Sequence, residues 1–219
     1  MLFSGISSFD TVVFMVVALI LAITFHEAAH AWMATRLGDD TPKMMGRLTL
    51  NPLAHLDPIG TLLIFVVGFG WGRPVMYNPN NIKSGRFGEM LIALAGPFAN
   101  VIMAFVFALP GRIYLLQHSS LPQGQIYVFL ATVVTLNIFL AAFNLIPIPP
   151  LDGSKILYLI LENFGASPRS IIALEQMGPM LLLILILADR LLGTHILQTL
   201  LEPVIILLQW IVGSTSLPF

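Results

Sequence analysis

The chain has no cysteine. Disulfides, cysteine-ligated zinc and thiol nucleophiles are therefore excluded. Charge is almost as scarce: 10% of the 219 residues are Asp, Glu, Lys or Arg, against about a quarter in an ordinary soluble domain. The net charge of −1 offers no basic surface for nucleic acid. Repeats and low-complexity tracts are missing. The opening residues, MLFSGISSFD, contain no Lys or Arg, and no cleavage site follows their apolar run. That run reads as a retained first helix and not as a signal peptide.

What is there is apolar. Hydrophobic residues make up 57% of the chain and the mean hydropathy is +0.91, so an integral membrane protein is expected. A spanning helix needs about 20 mostly apolar residues. Segments 11–36, 88–109, 126–147 and 171–191 meet that need, and 195–213 follows despite Glu202-Pro203. The run 59–71 is too short to cross and its glycines suggest a re-entrant helix. Two strand-like pieces, 43-KMMGRLTLNP-52 and 72-GRPVMYNP-79, each end in the turn signal Asn-Pro. The expected fold is an all-α polytopic membrane protein of about five transmembrane helices, with a short re-entrant helix and a small membrane-associated β-hairpin. It forms one membrane domain over residues 1–219, with 164–219 as a C-terminal helix pair.

The basic residues orient this layout. With the N-terminus outside and 59–71 re-entrant, Arg36, Lys43, Arg47, Arg73, Lys83, Arg86, Lys155 and Arg169 fall on one side, and Arg112 and Arg190 on the other. That bias makes the first side cytoplasmic. If 59–71 crossed, the bias would largely vanish.

Chemistry enters at 24-TFHEAAHAW-32. His26 and His30 are one helical turn apart on one face. Two imidazoles so placed can bind one metal ion, with Glu27 beside its water. Ionisable groups at membrane depth are costly and mark function by default; the bland reading is a pair of interhelical polar groups. A catalytic zinc takes a third protein ligand. His55, Asp57 and Asp152 are candidates, whereas His118 and His195 fall near the opposite face. Asp152 fits best. It follows 144-NLIPIPPL-151, whose prolines cannot support a helix, so the chain is extended there and lines a cavity. The competing reading of Asp152 is a plain N-cap of the helix 154–163.

HEAAH together with 144-NLIPIPPLDG-153 resembles the site-2 protease family, the zinc-dependent intramembrane metalloproteases of peptidase family M50. The resemblance takes in 55-HLDPIGT-61 and 95-AGPFAN-100 and spans about residues 10–163, the expected catalytic core; neither a PDZ-like insertion nor a CBS pair is seen. It implies that His26, His30 and Asp152 hold one Zn²⁺ per chain, that Glu27 is the general base, and that Asn144 holds substrate. His55 and Asn100 are further candidates for binding substrate or the oxyanion. Their structural alternatives are a bond from His55 to a backbone carbonyl and an interhelical role for Asn100; Asp57 would cap the short helix. The implied activity is endoproteolysis of locally unwound transmembrane segments, in regulated intramembrane proteolysis or clearance of signal-peptide remnants. The implied setting is a prokaryotic inner membrane, with the site toward the cytoplasm. The implied partners are membrane-protein substrates and the lipid bilayer. Either 43–50 or 72–78 is expected to offer substrate a strand edge. Two other classes compete, a divalent-metal transporter and an inactive membrane scaffold. Two histidines and a carboxylate suit zinc and can suit iron.

Overall fold

The computed structural model describes residues 9–60, 63, 70–118 and 123–213. Its helices are α1 (Phe9–Arg36), a single-turn α2 (Thr41–Met44), α3 (Gly85–Gln117), α4 (Gln125–Asn144), α5 (Gly153–Asn163), α6 (Pro168–Leu192) and α7 (Ile196–Val212). Helices α1, α3, α4 and α6 are long and apolar enough to cross a membrane. The last helix, α7, is apolar but has only 17 residues. Most of the expected re-entrant helix lies outside the described residues. Its start is visible at 58–60, where Asp57 Oδ1 accepts the Gly60 N–H at 2.7 Å and caps the turn.

Small residues set the packing. Ala18, Ala22, Ala31 and Ala34 of α1, Ala104 and Ala108 of α3, and Ala141 and Ala142 of α4 are buried. Side chains this small let helix backbones approach closely, which is how helices associate without a hydrophobic drive. Many large apolar side chains face outward, Phe98, Ile102 and Phe105 of α3 and Trp210 of α7 among them. Helices α1, α3 and α4 pack pairwise into the central layer. The C-terminal pair joins it through Leu182, Leu201, Leu208 and Val212, which share one core cluster with Ala104, Val134 and Ile138.

The expected hairpin is not formed by the described residues, which contain no strand ladder. In 43–50 the cause is local. Asp39 accepts the Thr41 N–H and hydroxyl, Pro42 fits the first turn of α2, and Gly46 at φ +70° ends it. Arg47, nearly fully buried, then bonds the carbonyls of Ala54 and Arg73. A guanidinium that satisfies backbone carbonyls replaces the cross-strand ladder. Segment 72–78 runs without helix, turn or bend until Pro79, and among the described residues its only ladder pairing is an isolated antiparallel bridge between Gly72 and Leu56.

Candidate metal centre and its cavity

The three candidate ligands come from two distant parts of the chain. His26 and His30 lie on the buried face of α1, and Asp152 sits just before α5. Their Nε2 atoms are 3.0 Å apart, and Asp152 Oδ2 lies 3.2 Å from His26 Nε2 and 3.4 Å from His30 Nε2. Asp152 does head α5, but its side chain makes no capping hydrogen bond. It points at the histidines.

The tautomers follow from the partners behind each ring. His30 Nδ1 lies 2.7 Å from the Ile92 carbonyl, which can only accept, so Nδ1 carries the proton. His26 Nδ1 lies 2.6 Å from Asn100 Oδ1 and donates to it. In neutral imidazoles both Nε2 atoms are then bare lone pairs. They face each other and Asp152 Oδ2, a buried oxygen with no hydrogen-bond donor. Three converging acceptors with no proton between them repel unless a cation sits among them. A tetrahedral ion with bonds of about 2.0–2.1 Å has ligand–ligand edges of about 3.3 Å. The observed separations fit one such ion, and these residues are those that could hold it.

Helix α3 leaves room for the rings. A Cβ on Gly96 would lie 2.5 Å from His30 Cε1 and 2.7 Å from His26 Cε1, so only glycine fits behind them. Glu27 is the one carboxylate next to the ligands on α1. Its Oε2 accepts the Val75 N–H at 3.2 Å. The segment carrying Val75 is fixed at both ends: Arg73 N–H bonds the His55 carbonyl at 2.7 Å, and Asn78 N–H bonds Asp39 Oδ2 at 2.7 Å. Asp39 is fully buried. Burial pushes its carboxyl up, but hydrogen bonds from Thr41, Asn81 and Asn78 outweigh that and hold it below the usual carboxylate range. Tyr77 is pushed the other way, since burial and then the Glu89 carboxylate keep its phenol protonated.

These groups open on a cavity of about 900 Å³. Its polar end holds His26, Glu27, His30, Asn144, Asp152 and Lys155. The rest runs along mainly apolar stripes of α1 (Met15, Leu19, Ile23), α4 (Leu136, Phe139, Leu140) and α6 (Leu182, Leu183, Ile186), and Arg190 of α6 also lines it. At the polar end, Lys155 Nζ meets Glu175 Oε1 of α6 at 3.0 Å.

Of the residues singled out in the sequence, the structure gathers His26, Glu27, His30, Asn144 and Asp152 at this cavity. Asn144 stands at its wall with Nδ2 donating to the Leu140 carbonyl at 3.0 Å. It does not bring His55 or Asn100 there. His55 is fully buried, with Nε2 on the Thr49 carbonyl at 2.8 Å, and Asn100 is fully buried behind His26. Three contributors went unread in the sequence: Asn137, which bonds Asn100, the Ile92 carbonyl, and the Val75 N–H. For Asn137 a signal existed, because an amide in the middle of an apolar helix is conspicuous. The other two are backbone groups and leave no trace in side-chain identity.

Comparison with known proteins agrees with this geometry. The model of peptidase family M50 matches residues 108–187. The chain is 43% identical over 147 residues to "Putative zinc metalloprotease YwhC" of Bacillus subtilis (strain 168), covering 66% of this chain and 67% of that protein. It is 28% identical over 178 residues to "Putative zinc metalloprotease Rip2" of Mycolicibacterium smegmatis, covering 78% of this chain and 66% of that one. It is 26% identical over 186 residues to "Zinc metalloprotease MJ0392" of Methanocaldococcus jannaschii, covering 84% of this chain but only 45% of that one. No solved structure gave a significant match. On its likeness to the Bacillus protein over two thirds of that protein's length, and on the family match, this chain belongs to peptidase family M50, a family of peptide-bond hydrolases.

Proposed function

We propose that this chain is a zinc-dependent intramembrane endopeptidase that cuts locally unwound transmembrane segments of membrane proteins, in regulated proteolysis or in clearing signal-peptide remnants. One observation carries the reading: Nε2 of His26, Nε2 of His30 and Oδ2 of Asp152 converge within 3.4 Å, and these residues line a cavity of about 900 Å³ together with Glu27. His26, His30 and Asp152 would hold the ion, which when bound supplies Lewis acidity to water and to the scissile carbonyl. Glu27 takes a proton from the attacking water and returns it to the leaving amine. The Val75 N–H keeps its carboxylate aimed into the cavity. Asn144 uses one amide hydrogen on Leu140, and its second N–H is suited to the carbonyl oxygen of substrate.

A helical substrate hides its carbonyls in its own hydrogen-bond ladder. It must unwind before cleavage and needs a template to hold it extended. Segment 72–78 is that template in this reading. It is extended, it has no neighbouring strand among the described residues, and Pro74, Val75 and Tyr77 line the cavity. Segment 43–50, turned into α2 and a loop, is not suited to the role. The arm between α1, α4 and α6, apolar apart from Arg190, suits the uncut, still helical part of such a substrate better than it suits an ion path, which would need polar walls along its length. In this reading the N-terminus lies outside and the site faces the cytoplasm, as the distribution of Lys and Arg supports.

The test is Glu27→Gln. The variant should bind zinc as the wild type does and lose at least about a hundredfold in cleavage of a single-span substrate. Normal cleavage by that variant sinks the reading.

A further inference from the structure

Asn100 and Asn137 form a chain of amides that runs from the candidate metal centre across three helices. Asn100 of α3 accepts from His26 Nδ1 of α1 at 2.6 Å. Its Nδ2 donates to the Ala22 carbonyl of α1 at 3.0 Å and to Asn137 Oδ1 of α4 at 2.8 Å. Asn137 Nδ2 donates in turn to the Val133 carbonyl at 2.8 Å. Both asparagines are fully buried, and neither lines the cavity.

Each amide in the chain has one allowed orientation. The Val133 carbonyl can only accept, so Asn137 must present NH₂ to it and Oδ1 to Asn100. Two acceptors, Ala22 O and Asn137 Oδ1, then take both hydrogens of the Asn100 amide. That leaves Oδ1 for His26, whose proton must sit on Nδ1. Flipping Asn100 would place two acceptors against its oxygen and its NH₂ against the ring. His26 would then move its proton to Nε2, where it would meet the place of the ion.

We propose that Asn137, which touches neither the ion's ligands nor the cavity, is a positioning residue that selects the metal-binding tautomer of His26 by fixing the orientation of Asn100. The proposal rests on the reading of His26, His30 and Asp152 as a metal centre. It moves Asn100 away from binding substrate or an oxyanion and into the support of the ligand.

The test measures metal directly. The zinc dissociation constant is determined by competition with a chromophoric chelator, and the visible absorption of the cobalt-loaded protein is recorded. Asn137→Ala should weaken zinc at least about tenfold, as loss of a ligand's hydrogen-bond support does, and should alter the cobalt spectrum. Asn137→Asp should keep wild-type affinity, because its buried carboxyl in the neutral form offers one acceptor and one donor in the same places. Asn100→Asp supplies the decisive background. Paired with the imidazole that holds the ion, this carboxyl is ionised and presents an oxygen to His26 whichever way it turns, so orientation no longer matters. Adding Asn137→Ala there should cost nothing further. An unchanged zinc affinity and cobalt spectrum in Asn137→Ala overturns the proposal. So does an equal loss in both backgrounds, which would mean general packing damage. If Asn100→Asp does not fold, the comparison of Asn137→Ala with Asn137→Asp decides alone, and equal weakening by both overturns it. A wild type that binds no zinc overturns the metal-centre reading itself, a different result from any of these.

Discussion

Replacing Gly96 by alanine adds one methyl group, and the structure says where it goes. The new Cβ would sit 2.5 Å from His30 Cε1 and 2.7 Å from His26 Cε1. Carbon atoms in good contact are about 3.5–4.0 Å apart, so each ring must give by about an ångström. Neither ring is free to do so. Nδ1 of His30 is tied to the Ile92 carbonyl, one turn before Gly96 on the same helix, and Nδ1 of His26 is tied to Asn100, one turn after it. Overpacking of this kind costs about 1–3 kcal/mol, while alanine in place of glycine favours the helix by up to about 1 kcal/mol. Global stability should therefore fall by no more than about 2 kcal/mol, and the strain should appear at the two rings. A misplacement of about 1 Å costs a catalytic site on the order of a hundredfold. The expected outcome for Gly96→Ala is a modestly lowered melting temperature, zinc affinity lowered at least about tenfold, and cleavage of a single-span substrate in proteoliposomes lowered about a hundredfold. Wild-type affinity and cleavage in a folded Gly96→Ala protein would refute the reasoning, because they would mean that the rings are not held between α1 and α3 as described.

Met76→Pro, in the exposed middle of the extended segment, removes a backbone donor from the proposed docking edge; it should abolish cleavage with zinc still bound, and unchanged cleavage would remove 72–78 from the mechanism. Asp39→Asn places an amide among four donors. It should loosen 77–82 at neutral pH, seen as faster limited proteolysis there. In the wild type the folded pKa of Asp39 is depressed, so its contribution is complete above the unfolded value of about 3.9 and is lost as pH falls through the lower folded value. The same proteolysis, followed against pH, should accelerate only below about pH 4. Glu175→Gln breaks a half-exposed ion pair with Lys155 and should shift stability by less than about 1 kcal/mol in thermal unfolding.

The group that could hold a metal was legible because it is written in side chains at fixed spacing. His26 and His30 are one turn apart, and a proline-rich bend can bring a carboxylate to meet them only if it lies in a cavity. The hairpin was misread for the opposite reason. KMMGRLTL alternates as a strand does, but its fate is decided by Asp39 and Pro42 just before it and by Arg47 within it, whose guanidinium serves carbonyls 7 and 26 residues away. Such long-range satisfaction of backbone groups has no local pattern. Asn100 shows a third case. Its identity announced a polar role within the membrane, but whether it faced the cavity or His26 depended on which helix lay behind His26, and that is a fact of packing.

The centre is held by two separable parts of the fold. The imidazoles are fixed from the helical side, by Ile92, Gly96 and Asn100 of α3 and, through Asn100, by α4. Glu27 is fixed from the other side, by the N–H of Val75 in the extended segment anchored at His55 and Asp39. Damage to the first part should therefore lower metal affinity, whereas damage to the second should lower cleavage and leave metal bound. The second part is also the proposed template for substrate. A peptide that paired with 74–78 would settle on the same backbone that holds Glu27, the proposed base, so its carbonyl and the Glu27 carboxylate would be referred to one element. In the proposed mechanism, that common reference would let a site fixed by the helices act on a strand that is extended only while it is bound.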